Sequence, residues 1–465
     1  MKTYKDRFII YTNILFFGWI LSFPLYGPVS TGQVSLSNVT GASPVVFFVL
    51  FHLATYILGC LLFRDTAMWL KQMKLGVTSA LLVNLLLISS TPIVWIIGFS
   101  ILGVASAIFV LGWSVVYSLS GRENKLRPIM VKIILGANVI LLVFTLLSQY
   151  LDSFWLLILS NVPLVLAAYL VYSYKPDKST QIMVQKTQIP TPKLLLPLLC
   201  LFILLIYVNG GLMYSVLMPS FSLNIVFGSY FNFVTYIVVL LIILKMGRTP
   251  PMSIFVYLGL ALLGLAFVIY AALGTQGIAP ILSVGLIETS FALLDVFLWV
   301  TLGSLSFVYG VPYRIFGLIL AANVLGILLG DLTGGLLIRS GENIYLITSL
   351  VSSGSVFLAI ITMPWMTGII DQNLNTAHID SSRDPGEVEP HEILLRYLPP
   401  DLTLTKRESE VLNLTLQGLT IKDMAQELCI SEHTVKTHLK NIYNKFGVKR
   451  KQELILLANR TENEL

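Results

Sequence analysis

The sequence predicts an all-α protein with two parts, a bundle of twelve membrane-spanning helices and a small C-terminal helical domain. Of the 465 residues, 56% are hydrophobic and only 12% are charged, whereas soluble proteins carry about 25% charged residues. Apolar runs of roughly 20 residues, the length that crosses a bilayer, recur before position 370. Charged residues become frequent from Asp371 onward. We therefore expect a membrane domain at 1–370, an acidic flexible linker at 371–400 and a C-terminal domain at 401–465.

The predicted spans form two groups of six, separated by a polar loop at 175–193. The first apolar run is too long for a cleavable signal peptide and is predicted to be the first span. Two halves of six spans are typical of many transporter folds. The spans begin near Phe8, Pro44, Leu75, Pro92, Pro128, Ser153, Leu194, Asn224, Ser253, Ile278, Ile315 and Ile344.

The placement of basic residues predicts the orientation of the spans. If the N-terminus is cytoplasmic, nearly all Lys and Arg of the loops fall on the cytoplasmic side, where such residues are enriched. The loops on the other side then contain only Asp152, Arg339 and Glu342 as charged residues. We therefore expect a multi-pass protein of the cytoplasmic membrane with both termini in the cytoplasm.

This layout resembles the major facilitator superfamily over about residues 1–370. Members of that superfamily carry a Gly-x-x-x-Asp-Arg-x-Gly-Arg type motif between the second and third spans. The corresponding loop here, FRDTAMWLK at 63–71, lacks the glycines, and the second half keeps only the fragment KMGR at 245–248. The resemblance implies a bundle of two six-helix halves.

Three acidic residues, Glu288, Asp295 and Asp331, fall at membrane depth in the tenth and eleventh predicted spans. A spacing of seven places Glu288 and Asp295 on one helical face. Because charge at this depth is costly, such residues normally face a bundle interior or a cavity. We expect a ligand or proton site here; the alternative is a structural role in which the acids are protonated or paired. Gly326 and Gly330 are expected to allow close helix packing.

No pattern in the sequence is typical of a catalytic or cofactor site. The three cysteines, Cys60, Cys200 and Cys429, are widely separated, and neither a disulfide framework nor a zinc site is expected from them. No nucleotide-binding loop or nucleophile triad is present either. We therefore expect no enzyme activity, no cofactor and no bound metal.

The C-terminal sequence predicts four short helices. Thr405 and Glu408 have the spacing of a capping box and open the first helix. A second helix begins after Thr420, Ser431 precedes the third, and Gly447 ends the third. The fourth is expected from about 450 to 458. The inner faces of the second and third helices carry apolar residues at helical spacing, namely Ile421, Met424, Ala425 and Leu428, then Val435, Leu439, Ile442 and Phe446.

The outer face of the third helix has the residues that a DNA-reading helix requires. Lys436 and Lys440 lie one turn apart, with Thr437 and Asn441 beside them. Six basic residues and one acid occur at 431–451. A helix in the major groove needs long donors for guanine edges and phosphates, with short hydroxyl or amide groups between them.

These residues resemble LuxR/FixJ-type helix-turn-helix domains over about 401–460. The segment LTKRESEVL at 404–412 resembles the start of such domains, and ISEHTVKTHLKNI at 430–442 is similar to their recognition helix. Near the start of the last helix, where the family usually has Arg, the chain has Lys451. The resemblance implies base contacts by Lys436, Thr437 and Lys440, phosphate contacts by Thr434 and Lys451, and a homodimer through the last helix, at Glu453, Leu454 and Leu457.

The two parts together predict a membrane-bound one-component transcriptional regulator. Its membrane domain would sense an unknown small ligand, and its C-terminal domain would bind specific DNA in the major groove. Nothing resembling a phosphate-accepting receiver domain precedes the helix-turn-helix. One alternative is a secondary transporter with a regulatory DNA-binding appendage, and another is proteolytic release of the C-terminal domain from the linker.

Overall fold

A computed structural model of the chain describes residues 2–25, 27, 44–89, 91–121, 123–176, 191–220, 226–246, 250–340, 343–381, 404–416, 419–428, 430–448, 450–451 and 453–454. Every regular element within these ranges is helical, in agreement with the all-α fold class predicted from the sequence. The chain forms two compact units, Met1–Leu374 and Asn375–Leu465.

Thirteen helices of seven residues or more begin in the described ranges of the first unit. They are α1 (Lys2–Ser22), α2 (Pro44–Leu62), α3 (Trp69–Leu86), α4 (Pro92–Ser118), α5 (Glu123–Leu147), α6 (Ser153–Leu159), α7 (Asn161–Ser173), α8 (Leu195–Leu212), α9 (Val226–Lys245), α10 (Met252–Leu273), α11 (Ala279–Tyr309), α12 (Pro312–Ser340) and α13 (Ile344–Ser381).

Each of the twelve predicted spans is helical, with α6 and α7 together forming the sixth. Among the described residues, nine helical segments are long and apolar enough to cross a membrane. The remaining spans are α1, α3 and α9. The first two turns of α1 carry Lys2, Lys5 and Arg7, and those of α3 carry Lys71 and Lys74. The apolar described part of α9 is short, Phe233–Lys245.

Pro163, whose ring clashes with the carbonyl four residues earlier, and nearby side-chain hydrogen bonds together explain the break between α6 and α7. The hydroxyl of Ser160 donates to the Leu157 carbonyl at 2.7 Å, and the Asn161 amide donates to the same carbonyl at 3.0 Å. Such bonds compete with the backbone ladder and bend helices. Asn84 of α3 donates to the Ser160 hydroxyl at 2.9 Å, so the bend is also held from a neighbouring helix.

Glycines bring α8 and α12 into close contact. A Cβ atom at Gly330 would collide with the Val208 carbonyl oxygen, and one at Gly326 would lie 2.7 Å from the Leu204 carbonyl oxygen. On the α8 side, a Cβ at Gly211 would collide with α12. Only a residue without a side chain permits this approach. The structure thus confirms the packing role predicted for Gly326 and Gly330.

The two halves of the bundle meet through a few helices. Across the halves, α12 packs against α2, and α5 packs against both α9 and α11. Within the first half α1 packs on α5 and α2 on α4, and within the second half α8 packs on α12 and α10 on α11. This arrangement places helices of both halves around a common interior.

The second unit contains three described helices, α14 (Lys406–Leu416), α15 (Ile421–Glu427) and α16 (Glu432–Phe446). Apolar side chains from all three form one core, which also includes Leu454. Four of its members are the α16 positions that the sequence spacing predicted: Val435, Leu439, Ile442 and Phe446.

The predicted helix ends of this unit are confirmed. The Thr405 backbone N–H donates to the Glu408 carboxylate at 2.8 Å, which completes the capping box. The Ser431 hydroxyl accepts from the Thr434 N–H at 3.1 Å. Gly447 has a φ of +65° and ends α16, a conformation that glycine adopts without strain.

The structure differs from the sequence prediction after residue 370. A flexible linker was expected from 371, but α13 continues as a helix to Ser381. No glycine or proline occurs between Gly368 and Pro385, so the two strongest helix-breaking residue types are absent from this stretch. The rest of the predicted linker, at 382–400, and most of the predicted fourth helix, at 455–458, lie outside the described residues.

Candidate functional site

The membrane unit encloses a cavity of about 320 Å³ between its two halves. Helices α1, α2, α4 and α5 line it from the first half, and α8, α9, α11 and α12 line it from the second. Met213 and Tyr214, in a π-helical turn that follows α8, also reach it. Such turns occur frequently at functional sites. The polar or ionisable lining residues include His52, Asn138, Tyr207, Tyr236, Glu288, Asp295 and Asn323.

Asp295 of α11 is held by two tyrosines from other helices. Tyr207 of α8 donates its hydroxyl to one carboxylate oxygen, and Tyr236 of α9 donates to the other at 2.5 Å. Both tyrosines are more than nine-tenths buried. Hydrogen bonds to a charged group are stronger and shorter than neutral ones, so this cluster fixes the position of the carboxylate.

Glu288 lies two turns earlier on α11 and lines the same cavity. Its carboxylate has no hydrogen bond or ion pair with any other described residue, in contrast to that of Asp295. The structure therefore brings together Glu288 and Asp295, as their spacing of seven predicted. Asp331 of α12 does not join them, because it is exposed and is absent from the cavity lining.

The imidazole of His52, on α2, also lines the cavity. Its Nδ1 lies 3.0 Å from the Gly103 carbonyl oxygen and 2.9 Å from the Ser106 hydroxyl. Because a carbonyl can only accept, Nδ1 carries the proton, and in the neutral ring Nε2 is then an acceptor. The ring also stacks on Phe48, with centroids 5.2 Å apart.

The second candidate site is the outer face of α16. Lys436, Thr437, Lys440 and Asn441 are all exposed, while Val435 and its apolar neighbours are buried. Neither Lys436 nor Lys440 forms an ion pair with a described residue. Two long cations, one turn apart, are therefore presented to solvent together with short polar groups.

The other two predicted DNA-binding residues, Thr434 and Lys451, have partners inside the domain. Thr434 lies in the first turn of α16, where its hydroxyl is 2.7 Å from that of Ser431. Lys451 donates its ammonium to the Leu419 carbonyl oxygen at 3.0 Å. One of its three donors therefore stabilises the fold. Leu454, expected at a dimer surface, is fully buried in the core, whereas Glu453 is exposed.

An ion pair that the sequence did not indicate connects α14 with α16. Lys445 donates to the Glu408 carboxylate at 2.7 Å, although 37 residues separate them. Burial raises the pKa of Glu408, but hydrogen bonds from Lys445 and Thr405 outweigh that effect and lower the pKa below its ordinary value. The capping carboxylate thus also positions the recognition helix.

The C-terminal residues match a known family. Residues 402–458 match the sequence family described as bacterial regulatory proteins, luxR family. The spore germination protein GerE of Bacillus subtilis is 49% identical over 63 residues, which are 13% of this chain and 85% of GerE. The chain belongs to the luxR family. The geometry described for α14 to α16 is therefore that of a luxR-type helix-turn-helix, a DNA-binding domain, as the resemblance predicted.

Other relatives match the chain over a similarly short stretch. A probable csgAB operon transcriptional regulatory protein of Salmonella typhimurium is 45% identical over 56 residues, which are 12% of this chain and 26% of the relative. The transcriptional regulator MalT of Yersinia pestis is 42% identical over 57 residues, 12% of this chain and 6% of MalT. The chain thus covers only a small part of these two proteins.

Solved structures give the fold of the larger part of this luxR-family protein. The proton:xylose symporter XylE superposes with a TM-score of 0.58 at 13% identity, over 79% of this chain and 95% of XylE. The human organic anion transporter MFSD10 gives a TM-score of 0.55 at 15% identity, over 76% of this chain and 98% of MFSD10. At this identity the likeness shows the fold, which is that of the major facilitator superfamily.

Proposed function

We propose that this protein is a membrane-bound one-component transcriptional regulator in which a small ligand binds the central cavity and changes how the luxR-type domain binds DNA. One observation carries the proposal. A single chain joins a recognition helix with two exposed lysines to a membrane bundle that contains a largely apolar cavity of about 320 Å³ with a few polar side chains in its wall. Such a volume lies within the range of small-molecule sites. We assign the protein no catalytic activity and no cofactor.

The ligand would act by changing the relative populations of two bundle conformations. A ligand shifts such an equilibrium only if it binds the two states with different affinity. Because both halves line the cavity, any rearrangement of one half against the other changes the ligand's surroundings. The carboxylates of Glu288 and Asp295 are the groups most sensitive to such a change, since they are ionisable and lie within the lining.

The DNA contacts follow from the exposed face of α16. We propose that Lys436, Thr437 and Lys440 reach base edges in the major groove, and that the N-terminal turn with Thr434 approaches a phosphate. Lys451 can contact phosphate only in addition to its bond with Leu419. We also propose a homodimer on DNA through the exposed side of the last helix, with Leu454 remaining in the core of each copy.

The proposed location is the cytoplasmic membrane, with both termini in the cytoplasm. The support is the charge distribution of the loops, in which basic residues gather on one side. DNA is accessible only in the cytoplasm, so a luxR-type domain at the C-terminus requires the C-terminus to lie on that side.

The test is to measure occupancy of the protein's own DNA sites in cells by crosslinking and immunoprecipitation. Specific DNA sites should be enriched in the immunoprecipitate of the full-length wild type while that protein is still bound to the membrane. Lys436→Ala should reduce enrichment strongly. Arg407→Ala is the matched control, because it removes one exposed positive charge from α14, a different helix. Equal enrichment by wild type and Lys436→Ala would contradict the assignment of α16.

A second candidate function is a secondary transporter with a regulatory appendage, and the major facilitator fold favours it. This candidate requires flux as well as binding. Uptake of a cavity-binding compound into proteoliposomes that contain the full-length protein would support it. Binding without uptake would contradict the transporter function and favour the sensor function.

A further inference from the structure

Two acidic side chains line the central cavity. They are Glu288 and Asp295, and no Lys or Arg is among the described residues that line it. The Asp295 carboxylate is satisfied by two tyrosine hydroxyls, but that of Glu288 has no partner among the described residues. An unpaired carboxylate at membrane depth is costly. A positively charged ligand would remove this cost, whereas an anionic ligand would add to it.

Side-chain oxygens without a described partner also favour a positive group in the cavity. The hydroxyls of Tyr207 and Tyr236 already donate to Asp295. Asn138, only 8% exposed, donates its amide to the Ile134 carbonyl at 2.9 Å, and its amide oxygen has no donor among the described residues. The Glu288 carboxylate likewise can only accept when ionised. A protonated amine would donate to these oxygens, and a quaternary amine, which has no N–H, would be attracted to them by its charge alone.

Several aromatic side chains stand among the aliphatic ones in the cavity wall. Trp299 lies 5.3 Å from Phe17 between ring centroids, and Phe291 lies 5.6 Å from Tyr207. All four side chains line the cavity. Faces of aromatic rings attract cations, and tryptophan does so most strongly. The same rings give an apolar surface for the body of an organic molecule.

A bare metal ion fits these features less well than an organic cation. The described residues contain no group of three or more His, Cys, Asp and Glu side chains arranged to hold a metal ion. The volume of about 320 Å³ also exceeds the space of a single ion.

We propose that the central cavity binds an organic cation, a protonated or quaternary amine with an aromatic or aliphatic body, whose positive group lies at Glu288. Asp295, fixed by its two tyrosines, would form the second negative wall, and the aromatic side chains would enclose the body. This assignment rests on the proposed sensor function and places the sensor's ligand in a chemical class.

The test uses three probes of similar shape on the purified full-length protein in nanodiscs. They are benzyltrimethylammonium, its neutral carbon isostere neopentylbenzene, and the anion phenylmethanesulfonate. Isothermal calorimetry should show saturable binding of the cation, with at least tenfold weaker binding of the other two. Equal or tighter binding of either the neutral or the anionic probe, or no binding of the cation, would overturn the proposal.

The variants locate the charge. Glu288→Gln should weaken binding of the cation at least tenfold and leave that of the neutral probe unchanged, while Glu288→Asp should restore part of the affinity. Asp331→Asn is the matched control, because this acid is exposed and outside the lining, and it should bind like wild type. If Glu288→Gln does not fold, the relative affinities of the wild type for the three probes still test the proposed ligand class. Unchanged cation affinity in a folded Glu288→Gln protein would refute the assignment.

Two readouts separate this proposal from the sensor function. A cation that binds the cavity without altering transcription from the protein's own DNA site would support the ligand class and contradict the sensor. A transcriptional response to neutral or anionic compounds alone, with loss of that response in Glu288→Gln, would support the sensor and contradict the ligand class.

Discussion

Loss of Lys445 should destabilise the luxR-type domain by about 2–3 kcal/mol. Its ammonium lies 2.7 Å from the Glu408 carboxylate, and the side chains are 22% and 5% exposed. Breaking a fully buried pair costs about 3–5 kcal/mol, whereas an exposed pair is worth about 0–1 kcal/mol. Lys445 is partly exposed, and Glu408 keeps two bonds from Thr405, so an intermediate value is expected for Lys445→Ala.

The assay is thermal unfolding of the fragment 401–465, followed by circular dichroism. This fragment has its own apolar core, and the 63 residues that match GerE make up 85% of that relative. For a domain of this size about 1 kcal/mol corresponds to 4–8 °C in Tm, so Lys445→Ala should lower Tm by roughly 10–20 °C. Lys440→Ala, which removes an exposed lysine from the same helix, should change stability by less than about 0.5 kcal/mol.

The pH dependence gives the same prediction an independent check. The pKa of Glu408 is lowered in the folded domain, so its contribution to stability is present above the ordinary value near 4.5 and is lost as pH falls through the lower folded value. In Lys445→Ala the main opposing charge is gone, and this acid-dependent loss should shrink. A variant with wild-type Tm at pH 7 would refute the reasoning.

Three further predictions concern DNA, topology and packing. Lys440→Ala should weaken binding to the specific DNA site by roughly 1–3 kcal/mol in a fluorescence anisotropy titration with the full-length protein, and equal binding to specific and random DNA by wild type and variant would contradict it. A cytoplasm-active reporter fused after Lys178 should be active and one inserted at 30–43 inactive, the reverse pattern being incompatible with the proposed orientation. Gly330→Ala should lower the yield and thermal stability of the detergent-solubilised protein, because its Cβ would collide with the Val208 carbonyl, whereas Gly354→Ala, with open space around it, should behave like wild type.

The sequence predicted the features that depend on neighbours along the chain. Capping at Thr405 and Ser431, the stop at Gly447 and the buried stripe of α16 are set by residues three or four positions apart. The shared face of Glu288 and Asp295 has the same origin, because helical periodicity alone fixes it. Apolar runs located the spans for a similar reason, since bilayer thickness sets their length.

Contacts between distant segments could not be predicted in this way. Tyr207 and Tyr236 lie on separate helices, 88 and 59 residues from Asp295, and each is an ordinary apolar-run residue in the sequence. The pair of Glu408 and Lys445 spans 37 residues. Such partners depend on how helices pack against one another. For the same reason the sequence could not show that Asp331 lies outside the cavity.

Linkage between the cavity and DNA tests the central claim most directly. The measurement is the affinity of nanodisc-embedded full-length protein for benzyltrimethylammonium, with and without a saturating DNA site selected by the luxR-type domain. If ligand and DNA both shift the same equilibrium between two conformations, DNA should change the ligand's Kd by a factor of roughly 5–150. Saturating ligand should then change the DNA Kd by the same factor. Glu288→Gln should abolish both effects. Ligand binding that is identical with and without DNA would contradict the account.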